Sequence, residues 1–166
     1  MTNEEYIEAF QQWGIDRKII GNGTFEGQWL KLISEIGELA DSLAKGKSPI
    51  DDIGDCFVVL VMMDEIWGLD HEPSSVLMGI INAGDKVEPY ISKIERLKFA
   101  SRQAAECLTR PREILTAAYN LSMLATCCNL TVNECLAHAW NEIKDRKGYL
   151  NENGVFIKED ANNVQA

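Results

Sequence analysis

At 166 residues, with 16 Lys and Arg against 26 Asp and Glu, the chain carries a formal charge of −10. A nucleic acid or an anionic membrane needs a basic footprint, so neither is an expected partner. A small anionic substrate remains compatible, because a bound metal inverts the local field. Cys56, Cys107, Cys127, Cys128 and Cys135 are odd in number, lie in helical patterns and lack CxxC spacing. They read as reduced, mostly buried thiols of a cytoplasmic protein. The acidic start MTNEEYIEAFQQW does not have the pattern of a signal peptide, and the apolar run from Cys56 to Met63 is too short to span a membrane.

In chain order, Tyr6, Ile7, Phe10 and Trp13 predict an amphipathic helix over 3–13 with Asn3 as N-cap. Residues 14–24, rich in glycine, are expected to form a loop. A helix from Thr24 or Phe25 to about Lys45 follows, stopped by Gly46 and buried through Leu32, Ile36, Leu39 and Leu43. After Pro49 a second helix runs to Trp67 or Gly68. Its CFVVLVMM segment is apolar all round, so it should be the central helix. A turn is expected at 69–73 and a short helix capped by Ser74 or Ser75, with a break at Gly84. Further helices are expected over 87–108 and 111–128, then one from the Thr131–Glu134 capping box to about Lys147. Asn153-Gly154 between short alternating runs signals a type I′ hairpin, and residues 159–166 read as a frayed tail.

Two acidic pairs stand out, Glu35 with Glu38 and Asp52 with Asp55, each at i, i+3 on consecutive helical patterns. In a helix that spacing projects both carboxylates to one side. Two such helices side by side would direct four carboxylates to one place, and hard oxygen ligands suit Mg²⁺ or Mn²⁺. Lys31, Glu35 and Glu38 form a stripe beside the apolar one, so these acids border the core. Asp51 reads as a partner of the helix dipole. His71 and His138 form no ligand pair, which argues against a di-iron site.

KLISEIGELAD followed by DDIGDCFVVL resembles the MazG family of nucleoside triphosphate pyrophosphohydrolases, which is related to the all-α dUTPases and dCTP pyrophosphatases. The family pattern is E-x-x-E, a spacer, then E-x-x-D. Here it reads Glu35-x-x-Glu38 and Asp52-x-x-Asp55, with Asp52 in place of the usual glutamate and Ser34 in place of a common glutamate. The segment WNEIKDRKGYLNENGVFIKE is similar to the ending of phage and bacterial MazG-like chains. The resemblance implies hydrolysis between the α- and β-phosphates, releasing a nucleoside monophosphate and pyrophosphate, with Mg²⁺ (or Mn²⁺) held by Glu35, Glu38, Asp52 and Asp55. Glu38 or Glu35 is then the expected proton acceptor. Lys31, Asn141, Lys144 and Arg146 are candidate phosphate contacts, and Trp29 or Trp140 a candidate stacking surface for the base.

The expected architecture is an all-α MazG-like helical bundle with a degenerate internal repeat and a small C-terminal β-hairpin. One domain spans 1–158, with a catalytic half over about 25–68, an echo half over about 87–147 and the hairpin over about 147–158. In the echo, Ile114, Leu121, Leu124 and Leu130 align with Ile53, Leu60, Met63 and Leu69, while Glu113 and Thr116 stand where Asp52 and Asp55 do. The expected substrate is a (deoxy)nucleoside triphosphate, and the expected assembly a dimer or tetramer of this chain. The alternative is a catalytically inactive MazG-fold interaction or regulatory module.

Overall fold

A computed structural model describes residues 1–68, 73–84 and 91–159, apart from the side chains of 73–76 and 84. It is all-α with a small antiparallel hairpin at its C-terminal end: α1 (Asn3–Asp16), α2 (Ile19–Asn22), α3 (Phe25–Ala44), α4 (Ile50–Trp67), α5 (Pro73–Gly84), α6 (Lys93–Glu106), α7 (Glu113–Cys127), α8 (Val132–Ile143), β1 (Gly148–Leu150) and β2 (Phe156–Lys158). The turn expected at 69–73, with Leu69 and His71, falls largely outside the described residues, as do 85–90 and the tail beyond 159.

α4 is the centre. Its residues Ile53, Gly54 and the run from Cys56 to Asp64 are all buried, as an all-round apolar helix requires. α3, α8, α1, α7, α5 and α2 pack against it. Each fully buried Leu, Ile, Val, Phe or Met contributes roughly 1.5–3 kcal/mol relative to an exposed one. α3 follows α4's lead with an amphipathic surface, burying Leu32, Ile36, Leu39 and Leu43. α6 and α7 pack as a second helical pair, joined to the first through α3–α6 and α4–α7 contacts. The echo positions match in burial: Ile53 and Ile114, Leu60 and Leu121, Met63 and Leu124 are all inaccessible.

Several boundaries differ from the sequence reading for identifiable reasons. The cap of α1 is Thr2, not Asn3, since Thr2 and Glu5 form a reciprocal capping box. Helix α1 continues to Asp16, and the expected loop contains the short, kinked α2. α5 begins at Pro73, ahead of the serines, where proline's fixed φ and missing N–H suit a first turn. Ser92 caps α6 with Glu95, so that helix starts later than expected. The Thr131–Glu134 capping box is present.

α8 stops at Ile143 instead of about Lys147. Arg17 intercepts the chain there, donating from Nε to the Arg146 carbonyl (2.9 Å) and from Nη2 to the Lys144 carbonyl (3.2 Å). Its guanidinium also lies 4.8 Å from the centre of the Trp13 ring. These contacts replace the carbonyl partners that further helical turns would supply.

The hairpin pairs Gly148 with Lys158, Tyr149 with Ile157 and Leu150 with Phe156. Its turn is not type I′, which needs positive φ at both central residues; among the described residues Gly154 has φ +71° but Asn153 is not in that region. Instead the Asn151 side chain accepts from the backbone N–H of Asn153 and of Val155 (3.0 Å each), and the Gly154 N–H donates to the Asn151 carbonyl (3.0 Å). The loop docks on the start of α3, where the Thr24 hydroxyl donates to the Asn153 carbonyl (3.0 Å).

Gly54 sets the distance between α4 and α8, because a Cβ there would lie 2.5 Å from the Cys135 carbonyl oxygen and 2.9 Å from the Ala139 Cβ. Replacing Gly54 by Ala is expected to destabilise the fold by about 1–3 kcal/mol, as overpacking does, despite alanine's better helix propensity. Urea unfolding of the variant measures this.

Asp64, 1% exposed, is also on α4, and neither of its carboxylate oxygens has a hydrogen-bond partner. Burial first, and the charge of Glu65 second, push its carboxyl from 3.8 up to about 7. The native state therefore keeps a proton that the unfolded chain releases, and the contribution of Asp64 to stability falls as pH rises between about 4 and 7, by about 1.4 kcal/mol per unit. In Asp64→Asn that fall should flatten, with the melting midpoint gaining most above about pH 7 and least near about pH 4. Melts across this range decide it; an unchanged slope would assign the proton elsewhere.

Candidate active site

Beside the α3–α4 contact lies a cavity of about 340 Å³, walled by α1, α2, α3, α4, the end of α8 and the hairpin. Glu35 of α3 and Asp55 of α4 both line it, with Lys31, Gln28, Arg146 and Lys158. Glu35 is 3% exposed and ion-paired with Lys31 one turn before it. A buried carboxylate needs such a partner, since an unpaired buried charge is costly.

Asp55 reports the crowding of negative charge. Burial foremost, then the nearby Glu35 and Asp51, raise its carboxyl from 3.8 to about 7, while Arg146 and Lys31 pull the other way. Cys56, on the same turn, is fully buried; burial, then the charges of Glu35, Asp55 and Asp52, push its thiol well above the ordinary range. Three of the four carboxylates therefore act on one small region.

The connection between α3 and α4 is short, from Lys45 to Pro49, so the two packed helices run antiparallel. Glu35 and Asp55 share the cavity, and Glu38 and Asp52 each lie three residues nearer that connection. The antiparallel register therefore sets Glu38 in line with Asp52, one turn from the first two. Glu38 is exposed and Asp52 half-buried, and neither lines the cavity. Among the described residues, no three His, Cys, Asp or Glu side chains converge on a single metal-holding point. The donor set is nonetheless all carboxylate oxygen, of the kind that hard divalent cations accept, and it carries the excess negative charge that a cation relieves.

The other expected contacts divide. Lys31 and Arg146 line the cavity. Asn141 and Lys144 do not: both are exposed, and the Lys144 ammonium donates to the Asn141 side chain (3.2 Å). Trp29 is half-buried away from the cavity, its indole N–H donating to the Ala104 carbonyl (2.9 Å), and Trp140 packs against Phe10 with ring centres 6.1 Å apart. The aromatic walls are Trp13 and Phe156 instead, edge to face at 5.4 Å. Gln28 and Lys158 were also missed. Gln28, seven residues before Glu35, shares its helical face, a spacing visible in the sequence; nothing local marks Trp13, Phe156 or Lys158, which reach the cavity only through tertiary packing.

No described helix is long and apolar enough to cross a membrane. No family model matches the chain, and no solved structure matches it. The chain is similar to an uncharacterized 18.2 kDa protein from the rep–hol intergenic region of Haemophilus phage HP1, at 40% identity over 62 residues. That match covers 36% of this chain and 38% of the relative.

Since Glu35 contributes to the high pKa of Asp55, Glu35→Gln should lower it from about 7 while leaving it above 3.8, because burial, the larger cause, persists. A ¹³C titration of the Asp55 carboxyl carbon provides the measurement.

Proposed function

We propose that the protein is a metal-dependent nucleotide pyrophosphohydrolase that cleaves (deoxy)nucleoside triphosphates between the α- and β-phosphates. The observation that carries this reading is one cavity in which carboxylates from two helices, Glu35 and Asp55, face the cations Lys31, Arg146 and Lys158. The motif resemblance to the MazG-like family, quoted above, supplies the bond that is cleaved.

Glu35 and Asp55, with Glu38 and Asp52 a turn away, would hold Mg²⁺ or Mn²⁺. Such a cation, when bound, neutralises phosphate charge and acidifies a water. Lys31 balances Glu35 and offers an ammonium to a phosphate oxygen. Arg146 presents a guanidinium whose planar fork matches a phosphate bidentately. Its Nε is buried without a hydrogen-bond partner, which leaves it dependent on what enters the cavity. Glu38, exposed one turn outside the cavity and without an ion pair or hydrogen bond among the described residues, is our candidate to accept the proton of the attacking water when the other three carboxylates hold the cation.

The absence of a three-carboxylate convergence among the described residues favours a second reading, a regulatory module of the same fold without catalysis. The two separate on one assay. With Mg²⁺ or Mn²⁺, the wild type should release pyrophosphate from at least one common triphosphate, and Glu38→Gln should lower the rate by about 10²–10⁴-fold with the melting temperature retained. Orthophosphate as the first product would move the cleaved bond. No product from any nucleotide, together with no metal-dependent rise in melting temperature, would leave the regulatory module.

A further inference from the structure

Among the residues that line the cavity, Gln28 carries the one amide side chain. It lines the cavity from α3 and is 4% exposed, yet its side-chain amide has no hydrogen-bond partner among the described residues. The amide is not among the side-chain groups sealed from solvent without a partner, so what remains open of it faces the cavity, where a ligand that supplies both a donor and an acceptor would engage it.

The surroundings define what that ligand is. Trp13, Ile19 and Phe156 give the cavity an apolar wall, and the hairpin that carries Phe156 docks on the start of α3 beside Gln28, with Val155 against Gly27. The only polar atom of the Trp13 ring is already committed, donating to the Ile143 carbonyl at 2.8 Å. Gln28 is therefore a neutral hydrogen-bonding group beside an aromatic wall, a combination that suits a flat heteroaromatic ring with donor and acceptor side by side on one edge.

Position along α3 then links this pocket to the charged end. Lys31 and Glu35 follow Gln28 on one helical face, and at 1.5 Å per residue Gln28 and Glu35 stand about 10 Å apart along the axis. That interval leaves the room that a pentose occupies between a ring at Gln28 and a phosphate beside Glu35.

We infer that Gln28 is the specificity-determining residue of this site, reading the hydrogen-bonding edge of a nucleobase held against Trp13 and Phe156. The inference rests on the nucleotide reading above. An amide can present its oxygen and nitrogen in either order, so the base it selects is set by the wall that fixes its orientation. The hairpin thus takes part in recognition: Phe156 comes from β2, and losing it opens one side of the base site.

The test uses the full chain as wild type, Gln28→Leu and Gln28→Asn, each first checked for an unchanged circular dichroism spectrum and melting temperature. dAMP, dCMP, dGMP, dTMP and dUMP are titrated calorimetrically with Mg²⁺ present, and pyrophosphate release is followed from the corresponding triphosphates. The wild type is expected to favour one base at least tenfold. Gln28→Leu should lose that preference, through KM more than kcat, and Gln28→Asn, if it unfolds nothing, should shift or weaken it by shortening the reach. Should Gln28→Leu unfold, the asparagine variant alone decides, and an unchanged ranking of bases in it overturns the inference. Equal affinity of the wild type for all five monophosphates also overturns it, even where pyrophosphate is released and the hydrolase reading survives. Base-selective, Gln28-dependent binding without pyrophosphate release upholds the base site and overturns the hydrolase instead.

Discussion

The burial of α4 on every side is the constraint on which the rest of the molecule depends. A helix with CFVVLVMM at its centre has no face that water can take, so α1, α3, α5, α7 and α8 must surround it. Close-packed interiors resist small changes in volume, and the direct approach of α8 at Gly54 shows how little space is left. That approach occurs at the residue next to Asp55. The same packing that covers the apolar run therefore also walls the acidic end of the helix.

Charge is admitted at this end for reasons that can be separated. Asp51 and Asp52 occupy the first turn of α4, where the helix dipole favours negative groups. Glu35 is paired with Lys31 on its own helix. Asp55 has neither advantage in full, and burial with its acidic neighbours raises its carboxyl to about 7. A cavity lined by such a group is a place where bound cation or proton changes the local energy most, which is the condition an active site exploits. Asp64 has the same elevation from burial without the cavity, so a raised carboxyl by itself does not define a site; the company of Glu35, Lys31 and Arg146 does.

The two acidic pairs were legible because i, i+3 spacing is a local property of a helix, and the short link after Lys45 forces the two helices to lie antiparallel. Lys31 was legible for the same reason, being one turn from Glu35. The aromatic side of the cavity was not. Trp29 is on the right helix, but α6 takes its indole N–H, whereas Trp13 enters from α1 and meets Phe156 from the hairpin. Asn141 and Lys144 looked equivalent to Arg146 in sequence; Arg17 ends the path of α8 by holding the carbonyls of Lys144 and Arg146, and only Arg146 turns inward.

By itself the sequence determined the all-α class, the central place of α4, most helix ends and the face that carries the acids, because periodicity, caps and glycine stops act within a few residues. Tertiary structure alone decided which helix ends meet, that the hairpin closes the cavity beside α3, and that Gln28 lines it without a hydrogen-bond partner among the described residues. The physical reason is range. A helix's repeat settles which side chains share a face, but what faces them depends on chain segments more than a hundred residues away, as Trp13 and the carbonyl of Ile143 illustrate.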